Sequence, residues 1–495
     1  MAAGVGDEAP IAGPPSGQLS KAGVRGTAWI GLLTSAVNLA SLAVFIVLSR
    51  LLDPKAFGLA AAASVVVLFL RIFVDGGISS KLVQLEDLSR DVVDTAFWAA
   101  VVFGVLLTVI VVVSAPLVGD VFGQPRLTNI VRALSSVLIL ASLDRTQSAL
   151  LDRRMAFRVQ ATRAIAAAVC SAVVAVCAAI AGLGVWALVL QSISFEVVNL
   201  ACLWSLSGWY PRFRFSRRHL AELMSFGGRY TGIVVTQYLI LNCDNLLIGV
   251  FLGPVALGYY VVAYRVLIVS NEVLVTTVTK VGLATFSRLQ GDEIELRRAA
   301  YRVAGLSAAL TLPAYAGLAI VAPQIVDLVF GAKWERSVGI MQVLCIAGGA
   351  QAVTSFTHPL VIALGKVRNE LRWNLAACGV LLAGFGASVH FGIVAVAWSL
   401  AIGSTILVPV RVVLMRRWAG ISVRSYFARL LGPGTATAVM VLGVLAVVHA
   451  LRGRGSIVGL ICEVGAGVVL YIVSLAFVDR KTAKAVTGAV RSLYD

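Results

Sequence analysis

Residues 52–59 read LDPKAFGL, and residues 252–259 read LGPVALGY. Leucine, proline, alanine and glycine recur in the same order and at the same spacing in both stretches. Each stretch separates two apolar segments of more than twenty residues, so both are short turns between helices of membrane length. A helix–turn–helix element that recurs far along a chain predicts two similar halves.

The composition is that of a membrane protein. Hydrophobic residues make up 59% of the chain and charged residues 13%, against about 45–50% and about 25% in soluble domains. A net charge of +17 would suggest nucleic-acid binding in a soluble protein. Here Lys and Arg retained in cytoplasmic loops account for it, so no nucleic-acid partner is expected and the bilayer is the predicted surrounding.

Fourteen apolar segments follow one another along the chain. Lipid offers no hydrogen-bond partner to the backbone, so each segment is predicted to be a helix, in an all-α polytopic membrane protein. The segments lie at 26–49, 56–79, 95–118, 128–150, 161–182, 185–206, 224–251, 257–285, 299–321, 337–364, 371–390, 392–415, 427–450 and 455–478.

A second echo supports a repeat of segments 1–6 as segments 7–12. Ala-Pro followed by Val-Phe-Gly occurs near residues 115–123 and again near 322–331. Six is an even number, so the two lobes have the same orientation and enclose a central cavity. The predicted regions are a disordered tail 1–25, an N-lobe 26–206, a basic linker 207–223, a C-lobe 224–415, two extra helices 416–478 and a tail 479–495.

The loop charges predict the orientation. If the N-terminus is cytoplasmic, the even-numbered loops and both tails hold most of the Lys and Arg residues. Such an excess marks the cytoplasmic side, so both termini are expected there. The few outside basic residues are Arg50, Lys55, Arg126, Arg132, Lys333, Arg336, Arg452 and Arg454.

No catalytic or metal-binding pattern stands out. The seven cysteines lie in apolar stretches and the four histidines are scattered, so no metal, cofactor or disulfide is expected. The sequence contains no GxxxxGK[ST], HExxH or GxSxG motif, which favours a transporter over an enzyme.

Ionisable residues inside the segments are candidates for a substrate cavity, because a charge at bilayer depth is costly. Arg265 is the strongest, since its neighbours one turn away, Val261 and Val269, are apolar. Unpaired arginines in a cleft suit phosphate groups, which guanidinium binds in a bidentate manner. The alternative is that Arg265 pairs with Asp244 or Glu272.

Further cavity candidates lie on segments 1, 2 and 7. For Arg71 the alternative is a local ion pair with Asp75, four residues along the same helix. For the polar side chains the alternative is inter-helix hydrogen bonding. These candidates are Arg50, Arg71, Arg229, Gln237, Tyr238, Asn242 and Asn38, with Asp244 and Glu272 also on the cavity list.

Residues 242–266, NCDNLLIGVFLGPVALGYYVVAYRV, with Phe286, Ser287, Arg288 and Gln290, resemble the polysaccharide-exporter (Wzx-type) branch of the multidrug/oligosaccharidyl-lipid/polysaccharide flippase superfamily. In the first half, Pro54, Phe57 and Gly58, Gly76-Gly77 through Gln84, and the cluster Arg153, Arg154, Phe157 and Arg158 agree with it.

The resemblance implies a multi-pass transporter of the bacterial cytoplasmic membrane. It implies a polyprenyl-diphosphate-linked oligosaccharide as substrate, alternating access of two lobes, and a polysaccharide polymerase and glycosyltransferases as partners. Three alternatives stay open: a flippase for the peptidoglycan lipid precursor, a multidrug antiporter of the same superfamily, and a membrane glycosyltransferase or polymerase that would use Asp327 and Glu335 in an outer loop.

Overall fold

A computed structural model describes residues 40–85, 88–154, 156–289, 291–450, 457–480 and 482. These residues form helices joined by short turns. The α-helices are α1 (Ala40–Leu51), α2 (Pro54–Asp75), α3 (Ile78–Gln84), α4 (Arg90–Val121), α5 (Pro125–Arg153), α6 (Phe157–Ile180), α7 (Val185–Leu206), α8 (Arg217–Phe251), α9 (Gly253–Arg288), α10 (Glu293–Ile325), α11 (Ser337–Thr354), α12 (Thr357–Ala363), α13 (Val367–Ser388), α14 (Ile393–Ala419), α15 (Val423–Ala450) and α16 (Ile457–Val478).

Thirteen spans among the described residues are long and apolar enough to cross a membrane, counting α2 with α3 and α11 with α12 as one span each. They confirm predicted segments 2 to 14. Helix α1 is the described part of the first predicted segment, 26–49, and the rest of that segment and the predicted tail 1–25 lie outside the described residues. Large apolar side chains such as Val113 and Leu442 stay exposed, at 74% and 70%, as a lipid-facing surface requires.

The two turns that open the repeat start their helices by different means. Asp53 caps α2, because its Oδ1 accepts the N–H of Ala56 at 2.8 Å, and Pro54 stands in the first turn. At the matching position Gly253 has a φ of +80°, and Pro254 again stands in the first turn of α9. Glycine tolerates this left-handed conformation without a Cβ clash. The turn is therefore kept, although α9 has no side-chain cap like the one that Asp53 gives α2.

The chain divides into two compact units, residues 1–242 and 243–495. In the first unit α5 packs against α2, α4 and α7, while α2 contacts α4 and α7, and α6 packs on α7. In the second unit α11 packs in the same way against α9, α10 and α14, while α9 contacts α10 and α14, and α13 packs on α14. Each pair maps onto its counterpart six segments later, so the packing confirms the repeat.

The second echo carries one extra residue in the second unit. Gly123 lies seven positions after Pro116, whereas Gly331 lies eight positions after Pro323. The extra residue lies in a π-helix, Val326–Phe330. A π-helical turn absorbs one inserted residue within a helix. Both stretches still end at a glycine with positive φ, +59° at Gly123 and +100° at Gly331.

The segment between α7 and α8 lies against the start of α4. The indole N–H of Trp98 donates to the carbonyl of Arg212 at 2.9 Å, and the Trp98 ring stacks on Phe213 with centroids 4.6 Å apart. Asp94 Oδ1 accepts the backbone N–H of Arg212 at 3.2 Å. These contacts set where α8 begins, at Arg217, within the stretch predicted as a basic linker.

Helices α15 and α16 have no counterpart in the first unit and pack on α10 and on each other. Tyr471 on α16 donates to the carbonyl of Ala309 on α10 at 2.7 Å. The amide nitrogen of Gln324 donates to both carboxylate oxygens of Glu463, at 3.1 and 3.0 Å. The in-span acid Glu463 is therefore held at a helix contact.

Candidate functional site

A cavity of about 720 Å³ lies inside the first unit, between α1, α2, α5, α6 and α7. Its wall is mainly apolar, with a small number of hydroxyl, amide and charged side chains. Such a mixture is typical of ligand pockets, which are apolar with a few polar groups that orient the ligand. The polar side chains are Ser41, Ser64, Arg71, Ser171, Gln191, Ser192 and Glu196.

An ion pair between α2 and α7 borders this cavity. Arg71 Nη1 donates to Glu196 Oε1 at 2.6 Å, and the two side chains are 21% and 5% exposed. The predicted local pair of Arg71 with Asp75 is therefore wrong. Asp75 instead accepts the Ser79 hydroxyl at 2.5 Å. Helix packing brings Glu196 to Arg71. The bond between Asp75 and Ser79 connects the end of α2 with the start of α3.

Arg71 also borders a second, smaller cavity of about 210 Å³, on which Asp75, Gly77, Arg145 and Tyr230 converge. One guanidinium thus faces two adjoining spaces within the same unit. A side chain in this position can remain with Glu196 or turn to a ligand in either cavity without crossing a helix.

Two glycines break the second span next to this small cavity. Gly76 and Gly77 have φ angles of +49° and +70° and separate α2 from α3. A Cβ on Gly77 would lie 2.9 Å from the Cα of Gly227 in α8, and a Cβ on Gly227 would lie 2.0 Å from the Gly76 carbonyl oxygen. The two backbones therefore touch at a point that only glycine permits.

Further charged groups lie behind the Arg71–Glu196 pair. Asn199, one turn beyond Glu196 on α7, donates to Asp144 Oδ2 on α5 at 2.8 Å, and both side chains are buried. Asp144 interacts electrostatically with Arg71, Arg145, Arg163 and Glu196. Arg71, Arg145 and Arg163 thus lie among several carboxylates, and groups of both charges meet beside the cavity. The carboxylates are those of Asp75, Asp144, Asp152 and Glu196.

Two of the polar candidates on α8 make helix contacts. The Tyr238 hydroxyl donates to the carbonyl of Val65 on α2 at 2.7 Å, and its ring lies 5.8 Å from that of Phe69. Asn242 donates to the carbonyl of Tyr238 at 3.1 Å, one turn back on its own helix. Gln237 is exposed. Tyr238 therefore makes the inter-helix bond that was the alternative to a cavity role.

The charged candidates in the second unit have different surroundings. Asp244 is buried and accepts the Tyr260 hydroxyl at 2.7 Å and the backbone N–H of Asn245 at 2.7 Å. Arg265 is half-buried on α9, and the charge that acts on it is that of Glu272, seven residues further along the same helix. Glu272 was one of the two acids predicted as alternative partners of Arg265, and its charge acts on the guanidinium.

The remaining candidates are only partly described. Arg50 is exposed at the end of α1. Arg229 belongs to α8, but its side chain lies outside the described residues, as does the whole of Asn38.

The cavity residues predicted from the sequence include Arg71 but not Glu196, Gln191 and Ser192, which also line the observed cavity. Glu196 was recognisable as an acid within a predicted helix, but its partner is 125 residues away. The described residues contain no group of three His, Cys, Asp or Glu side chains placed to hold a metal ion.

Comparison with known proteins agrees with the predicted resemblance. Residues 47–339 match the family model described as "Polysaccharide biosynthesis protein". The chain is 26% identical over 362 residues to "Lipopolysaccharide biosynthesis protein WzxC" of Escherichia coli (strain K12), covering 71% of this chain and 72% of that protein.

Two further proteins extend the comparison. The chain is 26% identical over 329 residues to "Succinoglycan biosynthesis transport protein ExoT" of Rhizobium meliloti (strain 1021), covering 66% of this chain and 67% of that protein. Its fold is that of "Lipid II flippase MurJ, inward closed conformation", with a TM-score of 0.76, 13% identity, and 92% and 99% of the two chains covered. With its repeated helices and the match over residues 47–339, this multi-pass membrane protein belongs to the polysaccharide biosynthesis protein family.

Proposed function

We propose that the protein carries a polyprenyl-diphosphate-linked oligosaccharide from the inner to the outer leaflet of the bacterial cytoplasmic membrane, by alternating access of its two six-helix lobes. The observation that carries the proposal is the Arg71–Glu196 pair at the wall of a 720 Å³ cavity within membrane-spanning helices. Family membership supports the substrate class, as does the similarity to WzxC and ExoT, which are named for lipopolysaccharide biosynthesis and succinoglycan biosynthesis transport.

The chemistry of the pair suits a diphosphate. Arg71 presents a planar guanidinium that binds two phosphate oxygens at once. Glu196 neutralises it while no ligand is bound, since an unpaired arginine inside a bilayer is costly. Arrival of a diphosphate would release Glu196 from Arg71. Arg145 and Arg163, which act electrostatically on the same Asp144 as Arg71 does, would add to the attraction for the diphosphate.

The sugar end of the substrate needs hydrogen bonds that are weak enough to release. Ser64, Ser192 and Gln191 line the same cavity as Arg71. Hydroxyl and amide groups both donate and accept, so they bind sugar hydroxyls of many arrangements. We assign these three residues to the glycan and Arg71 to the diphosphate.

Reconstitution tests the proposal. Purified protein is placed in proteoliposomes that contain a fluorescent polyprenyl-diphosphate oligosaccharide, and an impermeant glycosidase reports which leaflet holds the glycan. We expect the native protein to make the inner-leaflet glycan accessible and Arg71→Gln to fail. Arg126→Gln, an exposed arginine outside the cavity, should behave as native. Equal accessibility with empty liposomes and with native protein would overturn the proposed function.

A further inference from the structure

A separate cavity of about 640 Å³ lies in the second unit, where α10 and α15 begin. It is lined by Glu295, Arg298, Tyr301 and Arg302 of α10, by Arg429 of α15, and by Thr482. Helix α15 has no counterpart in the first unit, so the repeat does not duplicate this cavity. No residue of the proposed transport site contributes to it.

The described residues that line the cavity carry more positive than negative charges. Arg298 Nη1 donates to Glu295 Oε1 at 2.5 Å, and Arg302 Nη2 lies 3.8 Å from Glu295 Oε2. Arg429 has neither a hydrogen bond nor an ion pair with any residue that the structure describes. Among the described residues that line the cavity, three guanidinium groups therefore share a single carboxylate.

A tyrosine adds a positioned hydroxyl. The Tyr301 oxygen accepts the backbone N–H of Ser422 at 2.7 Å, which holds the ring between α10 and α15. A phenol that accepts one hydrogen bond still has its own hydrogen to donate. Tyr301 can therefore donate to an oxygen of a bound anion beside the arginines.

The cavity lies near the starts of two membrane-spanning helices, α10 and α15. At about 1.5 Å per residue, Arg298 and Arg302 lie roughly 8 and 14 Å along α10, and Arg429 lies roughly 9 Å along α15. Further along the same helices, exposed apolar side chains follow, such as Leu310 at 42% and Val439 at 49%. A ligand that fits both zones has an anionic head and apolar tails.

We propose that this cavity binds the headgroup of an anionic glycerophospholipid. Arg298, Arg302 and Arg429 hold the phosphate, and the acyl chains lie along Leu310 and Val439. Basic pockets between transmembrane helices bind anionic headgroups in this way. Bulk phospholipid is far more abundant in the membrane than any lipid-linked intermediate, so mass action favours it as the occupant.

Native mass spectrometry of the full-length protein tests this site. Delipidated protein is mixed with phosphatidylglycerol or phosphatidylcholine, and the lipid adducts are counted. We expect phosphatidylglycerol to be retained selectively. Each basic residue near an anionic lipid strengthens binding about fivefold, so R298Q/R302Q/R429Q should bind roughly a hundredfold more weakly.

The matched control removes three exposed arginines near the same helix ends but outside the cavity, as R416Q/R417Q/R424Q. It should retain phosphatidylglycerol as the native protein does. If the pocket triple variant does not fold, Arg429→Gln replaces it, since removing that side chain breaks no ion pair within the described residues.

Four outcomes would overturn the proposal. Equal retention of both lipids would exclude an anionic headgroup site, and equal loss in the two triple variants would show only general attraction to a basic surface. Displacement by millimolar inorganic phosphate would indicate a free-anion site. Displacement by an equimolar polyprenyl diphosphate would instead assign the cavity to the transported lipid.

Discussion

Arg71 on α2 and Glu196 on α7 form an ion pair of 2.6 Å at the boundary of two cavities. The two residues belong to different segments of the first six-helix repeat, and the packing of α2, α5 and α7 brings them together. The pair neutralises two charges that the bilayer would otherwise exclude. It also keeps the Arg71 guanidinium, which we propose binds the diphosphate, at the wall of the cavity.

Breaking this pair on one side should destabilise the protein. Glu196→Gln leaves Arg71 without its carboxylate, at a cost of about 3–5 kcal/mol for a buried pair. The double variant R71Q/E196Q removes both charges and should recover most of that loss. Thermal unfolding in detergent measures both effects.

Transport separates the structural role of the pair from its proposed role in binding. The double variant should be stable but inactive in the proteoliposome assay, because no guanidinium remains for the diphosphate. Active transport by a stable R71Q/E196Q protein would show that the pair serves stability alone.

The contact between Gly227 and the Gly76 carbonyl should not tolerate a methyl group. Gly227→Ala places a Cβ 2.0 Å from that oxygen, so α8 must shift and both stability and transport should fall. Gly228→Ala is the matched control, since a Cβ there meets nothing within 4 Å. It should be neutral or stabilising by up to about 1 kcal/mol. Similar effects of the two substitutions on the melting temperature would contradict the close contact.

Removing the Tyr238 hydroxyl should weaken the protein without stopping transport. Tyr238→Phe loses the hydrogen bond to the Val65 carbonyl, which should cost about 1 kcal/mol. A melting curve and the glycosidase assay are recorded on the same preparation. If stability is unchanged and transport is lost, Tyr238 contacts the substrate instead.

Arg265→Ala is expected to abolish export while expression and membrane insertion persist. The reason is that α9 holds this half-buried guanidinium inside a membrane span, where an anionic headgroup is the predicted ligand. The measurement is lipid-linked oligosaccharide trapped on the cytoplasmic side in a deletion strain that carries the variant. Arg372→Ala, at an exposed position near the start of α13, is the control. Full export at normal protein levels would remove Arg265 from the site.

Cysteine labelling tests the predicted orientation. The exposed Cys170, Cys177 and Cys462 are first replaced by alanine to clear the background. A cysteine at Val255, in the turn that opens α9, should then react with an impermeant reagent added to intact cells. A cysteine at Gly291, before α10, should react only after permeabilisation. The reverse pattern would place the termini outside.

Local patterns in the sequence were sufficient for the spans and the repeat. Each span is specified by its own apolar residues, because a bilayer requires every buried backbone group to bond within its own helix. The turns at Pro54 and Pro254 share the same spacing of leucine, proline, alanine and glycine. The helix contacts of the first unit recur in the second. Even the single inserted residue before Gly331 is visible in the sequence, although its absorption into a π-helix is not.

Which charges meet was decided by the tertiary structure. From the sequence, Asp75 is as plausible a partner for Arg71 as any acid, because helical spacing brings residues four apart together. Glu196 becomes the partner because α7 packs beside α2 with Glu196 on the side that meets Arg71. The rotation of a helix about its own axis depends on side-chain packing with its neighbours, such as the Gly227–Gly76 contact. Hydrophobicity therefore determined that the segments span the membrane, and packing determined which of their polar groups form a site.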